Sequence, residues 1–202
     1  MIAAGTVTTP DLAPIRRLER IERLRTALRD PDPAVRAGVA RSLERLESRS
    51  DVEHLIASLE SEDKLVRLNA IYGLGTLADP AGLPALVRAL HDPVEDIRAA
   101  AVRTLGELCD PSTLDPIIER IEDESRLVRR HAIEALGRFG ERRVASLLRS
   151  LLAESELEIV REALRALGAC RDPDAEEDIV RHLEHPDPGV RCAAAEALGL
   201  LD

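Results

Sequence analysis

The sequence predicts an all-α solenoid of six helix pairs with a period of 31 residues. Three apolar columns carry this prediction, because each recurs at that interval without slippage. The anchor column is Val35, Val66, Ile97, Val128, Ile159 and Val190. Eight positions later stands Leu43, Leu74, Leu105, Leu136, Leu167 or Leu198, and seven positions earlier stands Leu28, Leu59, Leu90, Ile121, Leu152 or Leu183. Such units bury their apolar faces only by stacking, which is typical of helical repeat arrays.

Taken in order, residues 1–14 are predicted to be a flexible tail and residues 15–202 a single repeat domain. The first helix, from about Pro14 to Arg29, is longer and more basic than its counterparts. Each unit then contains a helix A and a helix B. Helix A carries an apolar stripe at helical spacing, and helix B places apolar or small residues at the anchor and four, seven, eight and eleven positions later.

Short polar turns separate these helices. Asp-Pro pairs at 79–80, 110–111 and 172–173 are expected to open helix A, because Asp is a good N-cap and Pro fits the first helical turn. Within helix B, glycine follows the leucine of the second column at Gly75, Gly106, Gly137, Gly168 and Gly199, whereas the first unit has Glu44. A glycine in the last turn either ends a helix or makes room for a neighbouring one.

Composition and charge exclude several classes of partner. The chain has a net charge of −10, one Phe, one Tyr and no Trp. Such a chain is unsuited to the phosphate backbone of nucleic acids, to anionic membranes and to base stacking. Its three cysteines show no metal-binding or disulfide spacing, and no membrane span or signal peptide is evident. We therefore expect a cytoplasmic protein that binds neither nucleic acid nor membrane.

An arginine follows the anchor in five units, at Arg36, Arg67, Arg98, Arg129 and Arg191, and Val160 replaces it in the fifth unit. An acid stands four residues before this column at Asp32, Asp63, Glu156 and Asp187, with Val94 and Ser125 in the remaining units. This spacing places acid and arginine on one helix face. We expect a structural role, in which the acid caps helix B and the arginine bridges neighbouring turns. A row of ligand-binding arginines is the alternative.

The segment Val-Arg-Arg-His-Ala-Ile-Glu-Ala-Leu-Gly, from Val128 to Gly137, resembles the short HEAT-like repeats of the phycobilisome (PBS) lyase type. The resemblance covers roughly residues 15–202. It implies a right-handed superhelix of helix pairs, with the B helices lining its concave side. It does not determine function, because such repeats occur in scaffolds, regulators and a few enzymes.

Two enzyme classes of similar fold are disfavoured by the residues. Deoxyhypusine hydroxylase binds iron through repeated His-Glu pairs on helix B, whereas here His131 is followed by Ala132 and no other unit has a histidine in that position. HEAT-like DNA glycosylases use a basic face that bears aromatic residues. We therefore expect no metal, no cofactor and no catalytic residue in this chain.

The concave face implied by the resemblance is the candidate site. Residues three, six and ten positions after each anchor are expected to point away from the core, and together they include five Arg and four Glu. From these positions we select as partner-binding residues Arg41, Arg45, Asn69, Tyr72, Arg103, His131, Glu134, Arg138 and Arg165. We predict that this face grips an extended or helical protein segment, with acidic character near Arg41, Arg45 and Arg103.

These observations favour a non-catalytic scaffold or adaptor that acts through protein–protein interaction. The alternative is a bilin-lyase-type enzyme subunit that acts with a partner subunit. The charge is also uneven, because residues 1–30 carry +2 and residues 171–202 carry −6. Opposite charge at the two ends predicts a weak head-to-tail self-association.

Overall fold

The computed structural model describes residues 13–201, which are helical with short connections and contain no strand. The α-helices are α1 (Ala13–Ala27), α2 (Pro33–Ser58), α3 (Lys64–Leu77), α4 (Leu83–Ala89), α5 (Glu95–Leu108), α6 (Leu114–Ile118), α7 (Arg126–Phe139), α8 (Ala145–Ser150), α9 (Leu157–Cys170), α10 (Glu176–Arg181) and α11 (Pro188–Leu198). Short 3₁₀ segments adjoin the A helices at Pro80–Gly82, Pro111–Thr113, Glu119–Glu122, Arg142–Val144, Leu151–Ala153, Pro173–Ala175 and His182–Glu184.

The chain divides into two compact units, Met1–His54 and Leu55–Asp202, which we call unit 1 and unit 2. The prediction of one domain over residues 15–202 stays a prediction. The predicted tail, residues 1–14, lies outside the described residues except for the first two residues of α1. In unit 1, α1 packs on α2 through a small core in which Leu24, Ala27 and Leu46 contact the buried side chains of Ile21, Val39 and Leu43.

Unit 2 has the predicted repeat architecture. The B helices are α3, α5, α7, α9 and α11, and each packs on its neighbour in this order, while the short helices α4, α6, α8 and α10 each pack on the B helix that follows. The anchors Ile97, Val128, Ile159 and Val190 are at most 3% exposed, as are Leu105, Leu136 and Leu167 in the second column. The all-α repeat fold is therefore confirmed.

One predicted boundary is wrong. Helix B of the first repeat and helix A of the second form one continuous helix, α2, which runs for 26 residues. In the next repeat the corresponding turn is Ala78, in the left-handed conformation, followed by Asp79 and Pro80. At that register the first repeat has Glu47, Ser48 and Arg49. None of these three interrupts a helix as the Asp-Pro step does, so α2 continues through them.

The structure decides between the two roles of the glycine column. Helix B ends a few residues after the glycine, at residues with positive φ: Ala78, Cys109, Gly140 and Arg171. The glycine itself lies where two B helices approach closely. A Cβ added to Gly106 would lie 2.6 Å from the Cβ of Ala135, and one added to Gly168 would lie 2.7 Å from the Cα of Ala197. Gly75, Gly106, Gly137 and Gly168 therefore make room for the next B helix, whereas Gly199 is the C-cap residue of α11.

Candidate protein-interaction surface

The arginine column links consecutive repeats. In Arg67, Nη1 donates to the carbonyl oxygen of Ser61 (2.7 Å), at the end of the preceding helix, and Nε lies 3.1 Å from a carboxylate oxygen of Asp92 in the next repeat. Arg98 and Arg129 repeat this arrangement with Asp123 and Glu156 of their next repeats. Among the described residues, these pairs between repeats take the place of the expected pairing within one helix.

The three aspartates of the column, Asp32, Asp63 and Asp187, cap their helices as predicted, whereas Glu156 stands at the N-cap of α9 without a capping hydrogen bond. Asp63 accepts a hydrogen bond from the backbone N–H of Leu65 (2.8 Å), and Asp187 accepts one from Val190 (2.9 Å). In the fifth repeat, where Val160 replaces the arginine, Arg161 takes over and its Nη1 lies 3.6 Å from Asp187. These contacts support a structural role for the arginine column.

The pair of Arg98 and Asp123 is the most enclosed of these contacts, with side chains 7% and 4% exposed. Burial opposes the ionisation of Asp123, but hydrogen bonds from Arg98 and from the backbone N–H of Ser125 outweigh it and hold the pKa of Asp123 below its ordinary value of 3.8. In return, the hydrogen bond to Asp123 raises the pKa of Arg98. Both groups are therefore charged at neutral pH.

A second surface is formed by the outward positions of the B helices in unit 2. The residues six positions after the anchor are Tyr72, Arg103, Glu134, Arg165 and Glu196, and those ten positions after it are Thr76, Glu107, Arg138, Ala169 and Leu200. We call these two rows together the B-face. Glu134 and Ala169 are partly buried, and the other eight residues are exposed.

The positions three residues after the anchor differ from the prediction. Asn69 is exposed, but Ala100 and Ala193 are buried, and His131 and Glu162 are partly buried. The reason is that successive B helices pack directly on each other, so this flank of the helix is turned into the contact between them. Only two of the three predicted rows are therefore outward-facing throughout unit 2.

Charges on the B-face are paired with one another. Arg103 lies 3.5 Å from Glu107 and holds its guanidinium 5.2 Å from the centre of the Tyr72 ring. Glu134 accepts a hydrogen bond from Arg138 at 3.0 Å. Arg165 donates to Glu162 at 2.8 Å and to Glu196 at 3.3 Å.

In unit 2 the three arginines of the B-face lie beside the four glutamates that contact them, so this part of the surface is neutral to slightly acidic. The glutamates Glu107, Glu162 and Glu196 are missing from the predicted site. Spacings of three or four residues to an arginine could have identified the first two, whereas Glu196 pairs with an arginine 31 residues away.

His131 and Glu134 have opposite protonation preferences. Burial lowers the pKa of His131 below its ordinary value, although Glu134 works against this effect. For Glu134, burial favours the neutral form, but hydrogen bonds from Arg138 and His131 outweigh it and lower its pKa. At neutral pH a neutral imidazole therefore lies beside the ionised carboxylate of Glu134 at the edge of the B-face.

The predicted site residues fall into both units. Arg41 and Arg45 lie exposed on α2 in unit 1, and the other seven lie in unit 2. Between α7 and α9 the B-face contains an open depression of about 470 Å³ beside Gly137, bounded by Glu134, Arg138, Glu162 and Arg165. Its lining is charged and its base is formed by small residues, so it suits a polypeptide better than an enclosed small molecule.

Outside the B-face, the described chain has a further depression but neither a metal-binding cluster nor a membrane-spanning helix. A depression of about 520 Å³ lies beside α8 and α10, where Arg149 and Arg181 both pair with Asp178. Within residues 13–201, no three His, Cys, Asp or Glu side chains come together in an arrangement that could hold a metal ion. Over the same range, no helix has both the length and the apolar composition that crossing a bilayer requires.

Comparisons with known proteins agree with this geometry. A chain of the CpcE–CpcF complex of phycocyanin lyase from Nostoc sp. PCC7120 is 30% identical, with a TM-score of 0.66, and the match covers 74% of this chain and 64% of that one. This chain thus spans less than two thirds of the length of the lyase chain. A comparison with curated proteins finds no match.

Two designed proteins share the fold alone. A designed armadillo repeat protein in complex with the peptide (KR)4 is 17% identical, with a TM-score of 0.59, over 90% of this chain and 99% of its own. An engineered protein is 20% identical, with the same TM-score, over 90% of this chain and 96% of its own.

A family model described as HEAT repeats matches residues 21–101, 52–126, 88–165 and 157–202. The chain belongs to the HEAT repeat family.

Proposed function

We propose that this protein is a non-catalytic scaffold or adaptor that holds an extended or helical segment of a partner protein on the B-face. The observation that carries the proposal is the row six residues after the anchor on five B helices that pack in sequence, which is exposed at four positions and partly buried at Glu134. Such a row offers a long contact line without a deep pocket. Its Tyr72 and Arg103 belong to the residue types that are enriched in protein interfaces.

The proposal extends to Arg41 and Arg45 of unit 1. Both side chains are exposed on α2, one helical turn apart, and both suit an acidic segment of the partner. The cytoplasm is the expected compartment, because Cys109 and Cys192 are free and exposed and stay reduced there.

A photo-crosslinking amino acid placed on the B-face tests the proposal in the host cell. We expect Thr76, which is exposed on α3 one helical turn after Tyr72, to give a discrete crosslinked protein. Glu119 on the A-helix side is the matched control, because it is also exposed and its replacement leaves the B-face intact. Equal crosslinking from both positions, or none from Thr76, would contradict the proposal.

A second function is favoured by the similarity to the CpcE–CpcF lyase chain. In this alternative the protein is a bilin-lyase-type subunit that acts with a partner subunit. Co-incubation with a bilin, followed by gel filtration, separates the two functions. A visible absorbance band that elutes with the protein supports the lyase subunit, and a crosslinked partner without bilin absorbance supports the scaffold.

A further inference from the structure

We infer that the B-face selects an extended partner segment whose charges alternate at every third residue, with an aromatic residue at the end that reaches Tyr72. This inference rests on the proposed function and narrows the chemistry of the partner. It concerns unit 2 alone, since all five B helices of the row lie there.

The row six residues after the anchor alternates in charge. From α5 to α11 it reads Arg103, Glu134, Arg165 and Glu196, and on α3 it begins with Tyr72. Glu134 remains ionised at neutral pH, because the hydrogen bonds that it accepts lower its pKa. A partner lying along the row therefore meets positive and negative groups in turn.

At both ends of the row, residues on neighbouring B helices contact each other. The guanidinium of Arg103 lies over the Tyr72 ring, at 5.2 Å from its centre. At the other end, Nε of Arg165 lies 3.3 Å from a carboxylate oxygen of Glu196. Both contacts join residues 31 positions apart on adjacent B helices, so the row forms a line that one segment can follow.

The spacing of the row matches an extended segment of the polyproline II type. Packed helices lie about 8–10 Å apart. A polyproline II segment has three residues per turn and rises about 3.1 Å per residue, so every third side chain points the same way at about 9.3 Å. A β-strand would turn every third side chain to the opposite face. An α-helix returns a side chain to the same face after three or four residues, at about 4.5–6 Å, and again after seven, at about 10.5 Å, and neither spacing matches the usual packing distance.

The alternation of charge on the B-face makes it selective for a segment with alternating charges in one register. A uniformly charged segment would meet like charges at every second helix, and such juxtapositions are unfavourable. The adjacent row, with Glu107 on α5 and Arg138 on α7, carries the opposite sign on each of these helices. A segment that moves from one row to the next would therefore lose its complementary contacts, and this fixes its position.

Synthetic peptides test the inference directly. The matched peptide has about 13 residues, with phenylalanine first, aspartate and lysine alternating at every third position, and proline or serine between them. The control has the same composition with its aspartates and lysines in separate blocks, and a second control spaces the charges by heptads. We expect fluorescence anisotropy to show about tenfold tighter binding of the matched peptide than of either control.

Reversing one charge on the protein and its opposite charge on the peptide tests whether the peptide binds along this row. Arg165→Glu should weaken binding of the matched peptide, and replacing the aspartate opposite Arg165 by lysine should restore binding. Arg88→Glu, an equally drastic change on the exposed face of α4, should have no effect. If Arg165→Glu loses helicity by circular dichroism, Arg165→Gln replaces it, with weakening alone as the expected result.

Three outcomes would overturn the inference: equal affinity of matched and block peptides, absence of binding by all peptides, or failure of the exchanged peptide to recover. Tighter binding of the heptad peptide would overturn it in favour of a helical partner. The crosslink from Thr76 is independent of this charge pattern. If it forms while the peptides fail, the inference fails and the proposed function stands.

Discussion

At the scale of single residues, the arginine column joins adjacent repeats through hydrogen bonds and ion pairs. Nη1 of Arg98 donates to the carbonyl oxygen of Asp92 (2.9 Å), while Nε and Nη2 hold the two carboxylate oxygens of Asp123 (2.9 Å each). One side chain thus satisfies the end of its own helix A and an acid of the next repeat. Bidentate geometry of this kind is specific to arginine.

Removing one member of this buried pair should be costly. We expect Asp123→Asn to lower the free energy of unfolding by about 2 kcal/mol, because the buried guanidinium of Arg98 loses its charged acceptor. Asp96→Asn is the control, since Asp96 pairs with Lys64 where both side chains are more than 40% exposed, and it should cost less than about 0.5 kcal/mol. Urea unfolding measures both variants.

The same pair predicts the direction of a pH effect. Because the folded pKa of Asp123 is below its ordinary value of 3.8, its contribution is complete above that pH and is lost as the pH falls through the folded value. The difference between wild type and Asp123→Asn should therefore shrink in acid. A difference that stays constant down to pH 2 would show that the carboxylate charge does not carry the effect.

The three cysteines should differ sharply in reactivity. Burial raises the pKa of Cys170 to about 11, whereas Cys109 and Cys192 are exposed. Since the thiolate is the reactive form, a thiol reagent at pH 8 should modify Cys109 and Cys192 in the folded protein and should reach Cys170 only on unfolding. Mass spectrometry of digests identifies the modified sites. Rapid labelling of Cys170 in the native state would contradict the packing of the α9 terminus.

At the scale of helices, the glycine column sets how closely the B helices approach. Gly106→Ala should destabilise the fold by about 1–3 kcal/mol, because the new Cβ would overlap Ala135. Gly199→Ala is the matched control: a Cβ there would lie no nearer than 3.5 Å to another atom, and the change should be neutral to within about 0.5 kcal/mol. Thermal melts compare the two. Equal effects would mean that the glycines do not determine helix packing.

The repeat period makes a prediction at the scale of the whole molecule. Deleting residues 160–190 removes one full register, and the shortened chain should still fold, since repeat arrays are stabilised by contacts between neighbours. Deleting only residues 160–174 places a helix A stripe where helix B belongs and should abolish cooperative unfolding. Circular dichroism melts compare the deletions. Equal loss of helicity in both would contradict the repeat assignment.

The uneven charge of the chain leads to a second prediction at this scale. Residues 1–30 carry +2 and residues 171–202 carry −6, so weak head-to-tail association is expected at low ionic strength. Light scattering should show an apparent mass that grows with protein concentration in low salt and returns to the monomer in high salt, where such contacts are screened. An apparent mass that stays at the monomer value in low salt at high protein concentration would contradict head-to-tail association.

The features that repeat every 31 residues follow from the amino-acid sequence alone. The 31-residue columns identify the buried anchors such as Val128 and Val190, because equivalent neighbours cover this register in the stacked repeats, whereas Val35 and Val66 of the same column are 43% and 39% exposed. The capping role of Asp63 and Asp187 is equally local, since the acceptor and the N–H lie within three residues. Cys170 in a core column is buried for the same reason.

The contacts between residues of different repeats follow from the packing of the folded chain and not from the sequence pattern. Arg98 pairs with an acid 25 residues away and Arg165 with one 31 residues away, and neither distance follows from the geometry of a single helix. The close approach at Gly106 and the contact of Arg165 with Glu196 have the same origin, since both depend on how closely two helices stack. Periodicity specifies what lies inward, whereas the identity of each cross-repeat partner is set by the packing of one helix against the next.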